Sequence, residues 1–151
     1  MKESTLDLFW AKVEKGPGCW EWTASKIQGH GRFGYSGNGY YAHRISYELA
    51  NGPIADGMQV DPICHNRGCV NPAHLREVTP KQNMENRQGP NPNSKSGVRG
   101  VHWNANAKKW QALVTHSRKN IHVGYFVELA DAEAAVKAKR NELFTHNNID
   151  R

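Results

Sequence analysis

The sequence has no long hydrophobic run. Of its 151 residues, 38% are hydrophobic, and its mean hydropathy is -0.77. No stretch approaches the roughly 20 consecutive apolar residues of a membrane span, so we expect no membrane partner. One large apolar core is also excluded, and small polar domains usually need a disulfide or a metal ion as a staple. The length suits one ordinary domain or two small ones.

Cysteine is scarce, and its count is odd. Three cysteines cannot all pair with one another, and the opening segment MKESTLDLF lacks the apolar run of a secretory signal. We therefore expect a reducing, cytoplasmic location, in which the thiols are available as metal ligands.

Acidic residues are absent between Arg87 and Val127. Residues 1–88 carry 10 Lys and Arg against 9 Asp and Glu, a net charge of +1, whereas residues 89–151 carry 10 against 5, a net charge of +5. The basic residues of the acid-free window are Lys95, Arg99, Lys108, Lys109, Arg118 and Lys119. A basic window can be a solvated face, but about forty residues without a carboxylate favour a polyanion partner such as nucleic acid.

Glycine, proline, asparagine and serine are concentrated in residues 89–96, which we predict to be a linker between two domains, residues 1–88 and 97–151. In the first domain we expect short strands at CWEW, GRFGY, GYYAHR, MQVD and LREV, and helices at ISYELANG and PKQNMENR. In the second, GVRGVHW, KKWQALVTH and KNIHVGYF are strand-like and precede a helix from about Ala130 to Phe144. The expected fold class is α+β, with a three-stranded antiparallel sheet packed on one helix in the second domain.

The segment VDPICHNRGCVNPAHL, residues 60–75, has the spacing of a metal site. Cys64 and Cys69 are five residues apart, and His74 follows five residues later. Cys19 would complete a Cys3His set, which suits structural zinc because such sites are closed by four tetrahedral protein ligands. The alternative is three buried cysteines with an ordinary histidine.

Chemistry would need a second, oxygen-lined metal site, because a closed zinc site leaves no open position. Asp61 lies at a strand end, and Asn83 lies in the helix after LREVT. Facing each other, these two side chains could cradle one Mg²⁺ for phosphodiester hydrolysis. Asn83 could equally be a solvated helix residue.

Four segments, FWAKVEKGPGCWEW, GHGRFGY, YAHRISYELANGPI and VDPICHNRGCVNPAHLREVTPKQN, follow in this order over residues 8–88. In this order they resemble the HNH, or ββα-metal, endonucleases, specifically the group that shares zinc ligation with the His-Cys box homing endonucleases. The resemblance implies a zinc-stapled nuclease domain and assigns a catalytic Mg²⁺ or Mn²⁺ to Asp61 and Asn83. The zinc ligands that it implies are Cys19, Cys64, Cys69 and His74.

The resemblance also assigns a role to the position after Asp61. The general-base histidine of the family directly follows this aspartate, and here Pro62 stands in its place. His65 is the nearest histidine that could replace the base, but an offset of three residues puts it on the opposite side of an extended strand.

Four neighbouring residues complete the expected site. Arg44 is the preferred candidate for the cation that would stabilise the phosphate, and Arg32 is the second candidate. His43 is expected to be structural, and Asn71 is expected to position the loop.

The segments SGVRGVHWNANAKKWQALV, HVGYF and ADAEAAVKAK, within residues 96–146, resemble the plant ethylene-response-factor type DNA-binding domain. Similar domains occur fused to phage and mobile-element HNH nucleases. In that family the exposed face of the sheet lies in the DNA major groove. Strand alternation and the first-strand contact positions of the family predict these DNA-binding residues: Arg99, His102, Asn104, Gln111, Thr115, Arg118, Asn120 and His122.

Together these features predict a DNA endonuclease of homing or phage HNH type, encoded by a phage or mobile element, with double-stranded DNA as its partner. Pro62 supports a rival prediction, a DNA-binding protein that does not cleave, either a natural descendant of such nucleases or a disabled variant.

Overall fold

The computed structural model describes residues 2–87 and 89–147. The chain divides after Pro80 into two compact units, called here unit 1 (residues 1–80) and unit 2 (residues 81–151). This division falls ahead of the predicted linker at residues 89–96. Among the described residues, no helix is long and apolar enough to cross a membrane. The fold is mixed α+β with small antiparallel sheets, as predicted.

Unit 1 consists of short strands and two helices around one loop-rich centre. In chain order its elements are α1 (Glu3–Trp10), β1 (Val13–Lys15), β2 (Trp20–Trp22), β3 (Lys26–Ile27), β4 (His30–Tyr35), β5 (Asn38–Tyr41), α2 (Ala42–Asn51), β6 (Gln59–Pro62) and β7 (Leu75–Val78). The strands pair antiparallel as β1–β2, β3–β4–β5 and β6–β7. A single 3-10 turn, Pro72–His74, leads into β7.

The core of unit 1 is largely aromatic. Phe9 from α1 packs against Trp22 and Phe33, with ring centroids 5.2 and 5.3 Å away. Gly31 makes this packing possible, because a Cβ at that position would lie 2.5 Å from the Trp22 ring. A Phe9→Ala change would leave a cavity costing about 3–5 kcal/mol of stability.

The expected strand GYYAHR is wrong at its carboxyl end. β5 stops at Tyr41 and α2 starts at Ala42, so His43 and Arg44 are helical. The physical reason is the spacing of Ala42 and Ile45, both buried in the unit 1 core, because positions three apart share a face on a helix and not on a strand.

Unit 2 is a three-stranded antiparallel sheet covered on one face by a helix, as predicted. Its elements are α3 (Pro80–Glu85), which starts at the last residue of unit 1, then β8 (Val101–Asn104), β9 (Lys109–His116), β10 (Lys119–Phe126) and α4 (Leu129–Leu143). The strand order is β10–β9–β8. Ala112 of β9 and Ala132 of α4 are fully buried, and such small side chains let a helix lie close to a sheet.

A β-bulge interrupts β10. Ile121 is opposite Val114 and His122 is opposite Leu113, but the next paired residue is Gly124, opposite Ala112. The extra residue, Val123, shifts the alternation of side chains, which reverses the faces of all later positions on the strand.

Candidate metal centre and candidate nucleic-acid surface

Four metal-binding side chains meet in unit 1: Cys19, Cys64, Cys69 and His74. Their ligand atoms all lie within 4.8 Å of one another. The His74 Nδ1 atom is 3.6 Å from the Sγ atoms of both Cys19 and Cys69. Three sulfurs and one imidazole nitrogen make the donor set of a structural zinc site. The cluster could therefore hold a metal ion such as zinc.

Backbone pairing brings the separate parts of the cluster together. The loop after β6 runs alongside β2: the Val70 amide donates to the Trp20 carbonyl (2.8 Å), and the Trp22 amide donates to the Gly68 carbonyl (3.0 Å). Cys69 lies between these two contacts and is fully buried. The loop from β6 to β7 is thereby held against the strand that follows Cys19.

Asn71 connects two parts of the same cluster. Its side chain donates to the Gly18 carbonyl at 2.7 Å and accepts from the Ala73 amide at 3.0 Å. Gly18 precedes Cys19, and the turn that Asn71 caps ends at His74. Asn71 therefore fixes the turn that carries the imidazole against the loop that carries the first thiol.

Burial disfavours the thiolate form within the cluster. It raises the pKa of the Cys69 thiol to about 12 and also raises the pKa of the Cys64 thiol. Without a cation these thiols keep their protons at neutral pH, whereas a bound metal ion stabilises thiolates and displaces the protons. The environment therefore does not activate these thiols as nucleophiles.

Asp61 is buried on β6 and is held by an arginine from β7. Arg76 lies directly opposite it in the antiparallel pair, and its Nε and one terminal nitrogen donate to Asp61 Oδ2 at 3.1 and 2.9 Å. Arg76 was not among the site residues predicted from the sequence. The signal was present, because pairing MQVD with LREV in the observed register places this arginine opposite the aspartate.

Pro62, at the predicted general-base position, is buried at the end of β6. Its carbonyl accepts from the His65 amide at 3.0 Å in a tight turn, in which His65 takes a left-handed conformation with φ 58°. The His65 Nε2 atom is buried and has no hydrogen-bond partner within the described ranges. His65 is thus the titratable group that the backbone connects directly to position 62.

Three rings pack together at the start of α2. His43 is buried, and its ring centroid lies 5.0 Å from that of His30 and 5.6 Å from that of Tyr41. Burial lowers the pKa of His43 to about 4, with smaller effects from the neighbouring His30 and Arg44. His43 is therefore neutral at physiological pH.

The two candidate phosphate-binding arginines lie in different settings. Arg44 is half-buried on α2, and Arg32 on β4 stacks over the Tyr41 ring at 4.8 Å. The proposed metal ligand Asn83 is half-buried on α3, in unit 2, whereas Asp61 belongs to unit 1.

Six of the predicted DNA-binding residues share the sheet face opposite α4: His102, Asn104, Gln111, Thr115, Asn120 and His122. Cross-strand hydrogen bonds link several of them, including Thr115 Oγ1 to Asn120 Oδ1 at 2.7 Å. Arg118 lies in the exposed turn between β9 and β10. The bulge brings Tyr125, which is 46% exposed, to this face opposite Gln111, whereas regular alternation from His122 would place it on the other face.

Arg99 does not share that face and instead anchors the chain of unit 2. Its guanidinium donates to the carbonyls of Met84 (3.1 Å), Glu85 (3.1 Å) and Arg87 (2.8 Å). The first two are carbonyls of the last turn of α3, which a helix leaves without intrahelical partners, and Arg87 lies two residues beyond the helix. These hydrogen bonds give Arg99 a structural role, and its DNA contact stays a prediction.

Part of unit 1, with most of the cluster, lies in a segment that matches a known class of enzyme domain. A family model described as HNH endonuclease matches residues 40–85, which include Asp61, Pro62, Asn83 and three of the four cluster residues. The chain therefore carries an HNH endonuclease domain, and nucleic acid, most readily DNA, is the substrate that such a domain implies.

Phage proteins are similar over longer stretches. Protein 3.8 of Escherichia phage T7 is 34% identical over 103 residues, which cover 67% of this chain and 82% of that protein. The chain belongs to the same family as this T7 protein. Protein 7.7 of T7 is 41% identical over 68 residues (44% of this chain, 52% of that protein).

A third relative matches over a shorter segment. The gene 5.3 protein of Enterobacteria phage T3 is 43% identical over 42 residues, which cover 28% of this chain and 42% of that protein. The chain thus spans about half the length of Protein 7.7 and less of the T3 protein. No solved structure matches the chain.

Proposed function

We propose that this protein is a metal-dependent DNA endonuclease in which Asp61 is the central ligand of the hydrolytic metal ion and unit 2 binds duplex DNA. The observation that carries the proposal is the position of Asp61, a buried carboxylate on β6 inside the segment matched to HNH endonucleases and just ahead of the Cys3His cluster. Arg76 already provides the cation that a buried carboxylate needs and orients it, and carboxylate oxygens are ligands that divalent ions of the kind that support phosphodiester hydrolysis prefer.

Asp61 would hold one Mg²⁺ or Mn²⁺ through oxygen, the ligand atom that these ions prefer, and Asn83, the other ligand expected from the sequence, stays a prediction. When bound, the ion supplies Lewis-acid stabilisation of the developing charge on the phosphate. Arg44, or else Arg32, would bind a phosphate oxygen and steady the product. Arg76 holds the Asp61 carboxylate in one orientation, and thereby presets the direction of the second carboxylate oxygen.

The Cys3His cluster would hold a zinc ion with a purely structural role. Its four protein ligands close the tetrahedron and leave no position for water or substrate. The donor set and the 4.8 Å limit on the separations of the ligand atoms support this assignment. Zinc would then fix the loop between β6 and β7, which starts immediately after Asp61 and Pro62.

A second candidate function is DNA binding without cleavage, and Pro62 favours it. Proline has no ionisable group, so it cannot deprotonate an attacking water at the position where the HNH resemblance places the base histidine. Loss of a general base typically lowers a rate roughly 10²- to 10⁴-fold. The backbone amide of His65 donates to the Pro62 carbonyl, so His65 is close to position 62 along the chain and is the first alternative base to test.

Cleavage of supercoiled plasmid in Mg²⁺ or Mn²⁺ tests these proposals. We expect slow or no cleavage by the chain itself and metal-dependent cleavage by Pro62→His. Pro62→Ala is the matched control, because it also removes the proline ring but adds no base. Asp61→Ala in the Pro62→His background should abolish cleavage. Full-rate cleavage by the unchanged chain, lost in His65→Ala, would move the base to His65, and no cleavage by any variant would favour the second candidate.

A further inference from the structure

The outer face of the β8–β9–β10 sheet carries a hydrogen-bond network centred on Gln111. Gln111 Oε1 is 3.0 Å from His102 Nε2, and it accepts from Asn104 Nδ2 at 3.1 Å. His102 is directly opposite Gln111 in the antiparallel pair. An amide oxygen can only accept, so His102 Nε2 carries the hydrogen of this contact. Two lone pairs receive two donors, and the Gln111 oxygen is saturated.

This network fixes what the two side chains can offer to a ligand. The Gln111 carboxamide can still donate hydrogen bonds to a ligand through its two N–H groups on Nε2. In the tautomer with its hydrogen on Nε2, the His102 ring keeps Nδ1 as an acceptor. Neighbouring strands therefore present a donor group next to an acceptor atom.

The surroundings of the network favour DNA as the ligand. No acidic residue occurs between Arg87 and Val127. Exposed basic residues flank both ends of β9: Lys108 and Lys109 at one end, Arg118 and Lys119 at the other. β9 has 8 residues. At about 3.3 Å per residue it spans about 26 Å, so its basic ends can reach phosphates on both sides of a major groove about 12 Å wide.

We infer that Gln111 and His102 read a G·C base pair in the major groove, an inference that rests on the proposed DNA endonuclease function. Guanine presents two acceptors, N7 and O6, to the Gln111 donors, and cytosine presents its N4 donor to the His102 acceptor. Glutamine pairs with adenine by donating to N7 and accepting from N6, and here the accepting atom is already occupied. The network thus selects guanine over adenine, although glutamine alone favours adenine.

Selection from a pool of randomised DNA duplexes by the full-length chain, purified with zinc, tests this inference. The sequences retained by the unchanged chain should share an invariant G·C pair. Gln111→Glu keeps an oxygen for His102 and Asn104 but replaces the outward donors with an acceptor. Its preference for guanine over other bases at that position should fall roughly 5- to 100-fold and move towards cytosine or adenine, whose amino groups donate.

Two further variants complete the design. Asn106→Asp places the same added negative charge in the exposed β8–β9 turn, and it should weaken binding to all sequences alike without changing the preferred base. His102→Ala removes one donor to Gln111 Oε1 and should let adenine compete with guanine. Circular dichroism confirms that each variant folds, and if Gln111→Glu does not fold, His102→Ala decides.

The outcomes separate the inference from the function on which it rests. Retention of duplexes with no required G·C pair, or an unchanged preference in folded Gln111→Glu, overturns the inference and leaves the proposed nuclease intact. A folded chain that retains no duplex at all overturns DNA binding itself, and the inference fails with it.

Discussion

Arg76 and Asp61 face each other across β6 and β7. Two nitrogens of the Arg76 guanidinium donate to the same oxygen of the Asp61 carboxylate, at 3.1 and 2.9 Å. The two side chains are 20% and 9% exposed, so water screens the pair only weakly. Such a pair holds the carboxylate in one orientation, which is a condition that a metal ligand must meet before its ion arrives.

We expect Arg76→Ala to destabilise unit 1 by about 3 kcal/mol, the lower end of the range for breaking a buried ion pair, because Arg76 is partly exposed. Denaturant unfolding of this variant, of Asp61→Asn and of the double variant gives the coupling energy. Arg76→Lys, which keeps the charge but lacks the guanidinium fork, should lie in between. Additive effects of the two single changes would show that the pair contributes no coupling.

The chain should contain one zinc ion per molecule. Structural zinc typically contributes on the order of 10 kcal/mol to apparent folding stability, so a strong chelator should unfold unit 1. Elemental analysis and circular dichroism measure both effects. His74→Ala should lose the metal, whereas His65→Ala, a histidine of the same loop outside the cluster, should retain it. A folded protein that contains no zinc would refute the assignment.

DNA affinity should depend steeply on salt. Five exposed cations lie in the acid-free window: Lys95, Lys108, Lys109, Arg118 and Lys119. If about five phosphates are neutralised, log K should fall against log salt with a slope of about -4.5.

A paired substitution identifies the cations that reach phosphate. Lys108→Ala with Lys109→Ala should reduce the magnitude of the slope by about 1.8, because each phosphate contact contributes about 0.9. The matched control is Lys137→Ala, since Lys137 lies exposed on α4, the helix that covers the other face of the sheet, and pairs with Glu133 at 2.9 Å. Equal changes for both variants would place the DNA elsewhere.

Arg99→Ala should act on stability before it acts on DNA affinity. Its guanidinium satisfies three carbonyls around the end of α3, and hydrogen bonds to charged groups contribute about 1.5–3 kcal/mol each when measured singly. Thermal unfolding should show a loss of unfolding free energy within or above that range. At temperatures where the variant stays folded, its DNA affinity should match the unchanged chain, and a large loss of affinity in a stable variant would restore Arg99 to the DNA surface.

Acidification should destabilise unit 1 through His43. Its folded pKa of about 4 lies below its ordinary value of 6.5, so the unfolded chain takes up a proton first as the pH falls. The contribution of this residue is therefore constant above about pH 6.5 and decreases between pH 6.5 and 4, by at most about 3 kcal/mol. The groups around it, His30, Tyr41 and Arg44, are retained in His43→Leu, whose stability should vary less over this pH range.

The sequence by itself determined the Cys3His cluster and the second sheet. Cys64, Cys69 and His74 are fixed by local spacing, and Cys19 is the one cysteine left to complete four ligands, so counting was sufficient. The strands of unit 2 alternate apolar and polar residues over enough length to fix which face is buried. Both inferences depend on the spacing and alternation of residues that are near each other in the chain, and these can be read directly from the sequence.

Only the tertiary structure decided which partner each polar side chain contacts and which face of the sheet it lies on. The bulge at Val123 turns Tyr125 to the face of Gln111, because one extra residue reverses the alternation. The Arg99 guanidinium donates to backbone carbonyls at and just after the end of α3. The register of two short strands places Arg76 opposite Asp61. An arginine looks the same in sequence whether it binds phosphate, a carbonyl or a carboxylate, and the choice is made by whichever acceptor the folded chain brings within hydrogen-bond distance.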